Sequence, residues 1–277
     1  MAQGISIHIG LNQVDPNHYR DGKGNPWKGI LKACENDAKA MLALAQSKNF
    51  TPHLLLTKKA TAQNVVAALD QAAEILNPGD SLLLTYSGHG GQVPDMNNEP
   101  GEDDLLDETW CLYDRQFLDD ELYYLWGKFR PNVRILMLSD SCHSGTMAKD
   151  PLINMLAQTN GPAIRTLPLD VSEKTYQTHK AIYDTLQQEH PNSESALIEA
   201  SIILISGCQD SQFSLDGSVN GLFTGALLNV WNEGKYNGSI RSFYKRIVKN
   251  MPFYQCPNLF KVGVRTTEFE RRRPFEV

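Results

Sequence analysis

Short apolar runs recur along the chain, separated by stretches with helical spacing. "ISIHIGL" (Ile5–Leu11), "HLLLT" (His53–Thr57), "SLLLTYSG" (Ser81–Gly88), "RILMLSD" (Arg134–Asp140), "SIILISG" (Ser201–Gly207) and "LFKVG" (Leu259–Gly263) are read as strands. Most are apolar without alternation, as expected for strands covered on both faces. Between them, "CENDAKAMLALAQSK" puts Ala38, Met41, Leu42 and Ala45 on one helical stripe. "TAQNVVAALDQAAEIL" starts at Thr61, a good cap, and stops before the turn "NPGD". "NGLFTGALLNVWNEG" and "SIRSFYKRIVKNM" supply two more helices near the end. Strands alternating with helices predict an α/β fold, a mostly parallel sheet between two layers of helix.

Two segments break this rhythm. Pro94–Leu122 is acid-rich and reads as irregular, and Thr146–Ser195 lacks a clear strand while carrying Lys149, Arg165, Lys174 and Lys180. Long insertions of this kind in a compact α/β domain are usually functional or mobile, and for these two segments loop decoration far from any site is an equal alternative.

Composition narrows the function classes. With 277 residues, 41% of them hydrophobic, 21% charged and a net charge of −6, the chain reads as a soluble globular protein. The negative balance argues against nucleic acid as the main partner, since phosphate binding needs a concentrated basic surface. The start "MAQGISIHIGLNQVD" lacks a basic region followed by a long apolar one, and no stretch has the length of a membrane span. A cytoplasmic protein with no membrane partner is the expectation. The five cysteines are odd in number and widely spaced with no CxxC, which argues for a reduced protein without a disulfide framework or structural zinc.

In open parallel sheets, ligands bind beyond the carboxyl ends of the strands. Two predicted strand ends carry reactive groups: "SLLLTYSGHGGQ" places His89 among Gly88, Gly90 and Gly91, and "RILMLSDSCHSG" places Cys142 just past Asp140. Taken singly, a cysteine is more often an inert buried hydrophobe and a histidine a hydrogen-bonded structural residue. Together they suggest a nucleophile and its base, because a thiol needs a base and the spacing of 53 residues allows one crossover between adjacent strands. Backbone N–H groups of Gly90 and Cys142 would then form an oxyanion hole. His143 diverges from its neighbour and reads as structural. A redox role for Cys142 ranks lower because no resolving cysteine stands nearby in the sequence.

At these residues the sequence resembles the caspase-like cysteine peptidases, specifically the metacaspases and their prokaryotic relatives, the orthocaspases. "YSGHGGQVPD" and "DSCHSG" are similar to the histidine and cysteine signatures, and "GCQDSQFSLD" with "GLFTGALLNVW" to the start of the small-subunit region. "ACENDAKAM" resembles the segment after the first strand, and the likeness runs from about Ile5 to Val264. The resemblance implies a caspase-hemoglobinase fold with a six-stranded central sheet. It divides a single catalytic domain, 1–277, into a large-subunit-like part to about 145, a linker at about 146–195 and a small-subunit-like part at about 196–277. It also implies a Cys142–His89 dyad, protein substrates cleaved after Arg or Lys, and a monomer.

Asp37, Ser87 and Asp140 match the family's acidic S1 pocket, where carboxylates suit a bidentate Arg or a Lys ammonium. Cys34 matches a second, auxiliary cysteine. No cofactor is implied for the chemistry itself. Calcium is implied as a possible activator, with Asp107, Asp119 and Asp120 as candidate ligands; Asp119 and Asp120 could equally cap a helix, and Lys149 stands where the family pattern offers an aspartate. The linker falls where such zymogens are cut, making Lys149, Arg165, Lys174 and Lys180 candidate autocleavage sites. The rival from another class is a catalytically weak or inactive scaffold or binding protein.

Overall fold

The computed structural model describes residues 2–96, 106–142, 162–190, 197–209, 212 and 214–277. In chain order the elements are β1 (Gly4–Gly10), α1 (Cys34–Gln46), β2 (Phe50–Leu56), α2 (Ala62–Ile75), β3 (Ser81–Ser87) and β4 (Gly90–Pro94). They continue with β5 (Leu106–Cys111), β6 (Gln116–Leu118), α3 (Asp119–Trp126), β7 (Arg134–Asp140) and α4 (Leu169–Glu189). The last are β8 (Ser201–Ser206), α5 (Leu222–Trp231), α6 (Ile240–Asn250), β9 (Asn258–Gly263) and α7 (Thr266–Phe269).

The six apolar runs form one sheet in the order β2-β1-β3-β7-β8-β9. Every neighbouring pair is parallel except β8 with β9, which runs antiparallel at the edge. β1, β3 and β7 are buried along their whole length because alternate residues serve two cores. Ile7, Leu84, Ile135 and Met137 face α2 and α3 through Val65, Leu69, Leu122 and Trp126. Leu83, Leu136 and Ile203 face α1, α5 and α6 through Met41, Phe223, Leu227 and Phe243. Thr61 caps α2 by accepting from Asn64 N, and Ser239 does the same for α6 from Ser242 N.

Both segments expected to be irregular contain regular structure. The first forms a three-stranded antiparallel sheet, β4-β5-β6, and then α3. Its alternation is hard to read because Asp107 and Thr109 occupy the buried positions of β5, where apolar residues normally signal a strand. The second contains α4, 21 residues long and kinked at His179. Its packed face carries Thr175 and Gln187 beside Val171, Tyr176 and Tyr183, so the stripe is too polar to stand out. Gln187 earns that position by donating from Nε2 to Pro94 O at 2.9 Å, which ties α4 to β4. Among the described residues, no helix is long and apolar enough to cross a membrane.

Candidate active site

The strands that matter end in register. Ser87, the last residue of β3, pairs with Gly10 of β1 on one side and Asp140 of β7 on the other. His89 and Cys142 each follow two residues later, so one crossover brings the turns that carry them side by side.

The His89 ring is almost wholly buried, between Trp27 (ring centroids 5.1 Å apart) and the chain beyond β3. Its Nε2 lies 3.0 Å from Gly29 O. A carbonyl can only accept, so Nε2 carries the proton and Nδ1 the lone pair. Nδ1 is buried and makes no hydrogen bond among the described residues. Burial lowers the pKa of the ring to about 4, with the hydrogen bond that the ring donates to Gly29 O pulling the other way. The ring is therefore neutral at pH 7, as a base must be. Gly29 cannot easily be another residue: its φ is +52°, and a Cβ there would come within 2.4 Å of the Trp27 ring.

Cys142 is also fully buried, and its thiol donates to Gln212 O. The Cys208 thiol, just past the end of β8, interacts directly with it and is pushed well above the ordinary thiol range, first by its hydrogen bond with Cys142 and then by burial. The sequence expectation that no second cysteine stands nearby is thus overturned: 66 positions apart in the chain, the two meet because β7 and β8 are neighbours. Cys34 is buried too, and burial pushes its thiol up to about 12.

The cleft at these strand ends is filled by the chain itself. The segment Ala163–Leu167 crosses it as an extended strand: Asp216 N donates to Ala163 O at 2.8 Å, and Arg165 N to Ser214 O at 2.9 Å. Ile164 bridges Leu215 in antiparallel sense, and Thr166 bridges Gly90 in parallel sense. Arg165 O accepts from Gly90 N at 3.0 Å and Cys142 N at 3.1 Å, the two amides expected to hold an oxyanion. Its side chain enters the pocket lined by Asp37, Ser87 and Asp140.

That pocket buries the guanidinium completely. Nη1 donates to Ser87 Oγ at 2.9 Å and to Asp140 O at 3.1 Å, and pairs with Asp140 Oδ2 at 2.9 Å. Nη2 donates to Asp37 Oδ2 at 2.7 Å and to Asp216 Oδ1 at 3.0 Å. Each carboxylate is held by further donors. Asn220 Nδ2 and Gly221 N serve Asp37; Ser214 Oγ, Thr224 N and Thr224 Oγ1 serve Asp140. Burial raises the Asp37 carboxyl above its ordinary range, opposed by Arg165 and reinforced by Asp140. The guanidinium is itself held well above its usual value: burial lowers it, but Asp140, Asp37 and Asp216 more than offset that. Gly221 roofs the pocket, since a Cβ there would lie 2.5 Å from both Nη atoms.

Sequence reasoning missed Asp216, Ser214, Thr224, Asn220 and Gly29. The Ser-x-Asp alternation of Ser214 and Asp216 inside "GCQDSQFSLD" is the one signal that could have marked a short pairing edge. Of the four basic linker residues, only Arg165 among those described reaches the site. Lys174 and Lys180 lie inside α4, where Lys180 pairs with Asp184 at 2.6 Å. Lys149 and His143 fall outside the described residues.

Asp107 lies on β5, while Asp119 and Asp120 open α3 as first-turn acids. Among the described residues, no three His, Cys, Asp or Glu side chains come together to hold a metal ion.

Fold and site together define a domain of the caspase type, with a cysteine and a histidine at adjacent strand ends. The chain belongs to the caspase domain family, whose family model matches residues 14–267. It is 30% identical over 233 residues to metacaspase-1A of Aspergillus oryzae and 31% identical over 237 residues to metacaspase-1 of Coccidioides immitis. These matches cover 72% of this chain but 55% and 50% of the relatives, so the chain spans about half their length. Among solved structures, protein GSU0716 from Geobacter sulfurreducens is 49% identical with a TM-score of 0.87, covering 99% of both chains. Caspase-1 from Spodoptera frugiperda, at 10% identity and a TM-score of 0.54 over 95% of this chain and 86% of its own, shares the fold.

Burial of neutral histidines makes the fold sensitive to acid. His8 is lowered to about 3 and His18 to about 4, in both cases first by burial, and His89 behaves alike. A depressed histidine stabilises the fold fully above its unfolded pKa, and that contribution is lost as pH falls, because the unfolded chain takes up the protons. For His89 alone the loss is about 2 kcal/mol by about pH 5. Denaturant midpoints of Cys142→Ala protein are expected to hold steady down to about pH 6.5 and to fall steeply below it. A midpoint unchanged at about pH 5 would contradict the buried neutral rings.

Proposed function

We propose that the protein is a cysteine endopeptidase that cleaves after Arg or Lys and acts first on its own Arg165–Thr166 bond. The observation that carries this is the seating of Arg165, with its carbonyl oxygen between the amides of Gly90 and Cys142 and its guanidinium among buried carboxylates. This is how a substrate must sit for both recognition and stabilisation of a developing oxyanion.

The chemistry follows from the placement of each group. The Cys142 thiol turns from Gln212 O toward His89, whose Nδ1 takes the proton. The sulfur attacks the Arg165 carbonyl carbon, and the oxyanion is held by the two amides. Collapse breaks the C–N bond, and His89 returns the proton to the departing Thr166 nitrogen. Water, deprotonated by the same ring, then hydrolyses the thioester and frees the thiol. Until Ala163–Arg165 leaves the cleft, the intact chain blocks its own site against other peptides.

A panel of fluorogenic peptides with Arg, Lys, Asp or Asn at the cleaved position tests the reading. Hydrolysis confined to the basic peptides supports it, and hydrolysis of the Asp peptide alone sinks the pocket assignment. Running the panel with and without EDTA tests the further proposal that calcium activates through the acidic segment around Asp107, Asp119 and Asp120. Activity lost in EDTA and restored by calcium supports that part, and equal activity removes it.

A further inference from the structure

We propose that Asp216 makes this pocket select arginine over lysine. The pocket of Asp37, Ser87 and Asp140 explains a basic residue in general but not which one. The guanidinium fork is split between two groups of acceptors. Nη1 is taken by Ser87 and Asp140, and Nη2 by Asp37 at 2.7 Å together with Asp216 at 3.0 Å.

Asp216 is not a mobile surface acid. It is buried, and its carboxylate is fixed by Lys32 N at 2.6 Å and Ala33 N at 3.2 Å, at the entry to α1. Its backbone N–H meanwhile pairs with Ala163 O. It thus sets the strand register of the bound segment and one end of the fork at once.

A lysine ammonium is a single nitrogen and cannot occupy both Nη positions. It is also more strongly hydrated than guanidinium, so burying it costs more. Centred between Asp37 and Asp140, it would leave Asp216 as a buried carboxylate with backbone donors only, an unfavourable state. Neutralising Asp216 should therefore weaken arginine much more than lysine.

Because the selection rests on the peptidase reading above, the experiment separates the two. Full-chain wild type and Asp216→Asn are compared on matched peptides with Arg or Lys at the cleaved position. Self-occupancy by Arg165 reduces both rates by the same factor, so the ratio of kcat/KM is unaffected by it. A charge-assisted hydrogen bond of this kind is worth roughly 10- to 100-fold. The expected result is a wild-type preference for Arg of about 100-fold that drops about 10-fold or more in Asp216→Asn, with the Lys rate nearly unchanged. A ratio unchanged in the variant, or both rates falling equally, overturns the selection and leaves Asp216 a merely structural cap.

Should Asp216→Asn fail to fold, the wild-type ratio still decides: Arg and Lys cleaved within about threefold of each other overturn the proposal. A readout without turnover comes from melting in the Cys142→Ala background. Arg165→Lys should lower the Tm there, and by clearly less when Asp216→Asn is also present; additive shifts overturn the coupling. If folded wild type cleaves neither peptide, the peptidase reading falls and the substrate preference with it. Equal cleavage of both removes only the preference.

Discussion

Protein carrying Cys142→Ala is expected to remain one intact chain under conditions in which wild type separates into fragments ending at Arg165 and beginning at Thr166. Its hydrolysis of arginine peptides should fall on the order of 10⁴-fold or more, because the side chain that forms the thioester is gone and the oxyanion amides alone cannot replace it. The fold should persist, since alanine fills a fully buried position that a small apolar side chain tolerates and the Cys142 amide, which bonds Arg165 O, is retained. Intact mass measurement separates the outcomes. Fragmentation of the alanine variant at the same bond would assign the cut to another protease, and an intact wild type would remove self-cleavage from the proposal. A variant that hydrolyses arginine peptides as fast as wild type would exclude Cys142 as nucleophile.

The second large effect concerns Asp140. Its carboxylate pairs with Arg165 Nη1, accepts from Thr224 at the start of α5, and accepts from Ser214 Oγ at 2.6 Å. Ser214 in turn receives Arg165 N on its carbonyl oxygen, so Asp140 both neutralises the basic residue and steadies the edge on which a substrate strand lies. Asp140→Ala is expected to lower kcat/KM on arginine peptides by about 3 kcal/mol, roughly a hundred-fold, most of it in KM. Asp140→Asn keeps acceptor and shape while removing charge, and should fall between the two. Full activity of Asp140→Asn on arginine peptides would show that Asp140 acts through structure and not through charge recognition.

Much of this architecture can be read along the chain. Each of the six apolar runs became a strand of the central sheet. For the inner strands β1, β3, β7 and β8, burial on two faces demands unbroken hydrophobicity, which is a local signal, while the edge strands β2 and β9 are only partly buried. The turns after β3 and β7 were legible for the same reason: an apolar run that stops at a polar, glycine-rich turn marks a strand end. Asp107, Thr109, Thr175 and Gln187 show the opposite case, where polar residues at packed positions hid a strand and a helix from any hydrophobic pattern.

The sequence by itself determined the layered α/β fold and the two strand ends where cysteine and histidine stand. Only the tertiary structure decided which of the basic linker residues enters the cleft and which carboxylates receive it. Arg165 is 128 positions from Asp37 and 51 from Asp216, and no local periodicity links such residues. What joins them is the cost of burying a charge: a guanidinium withdrawn from water must be matched by carboxylates from several segments at once. Only the folded chain brings those segments to one point.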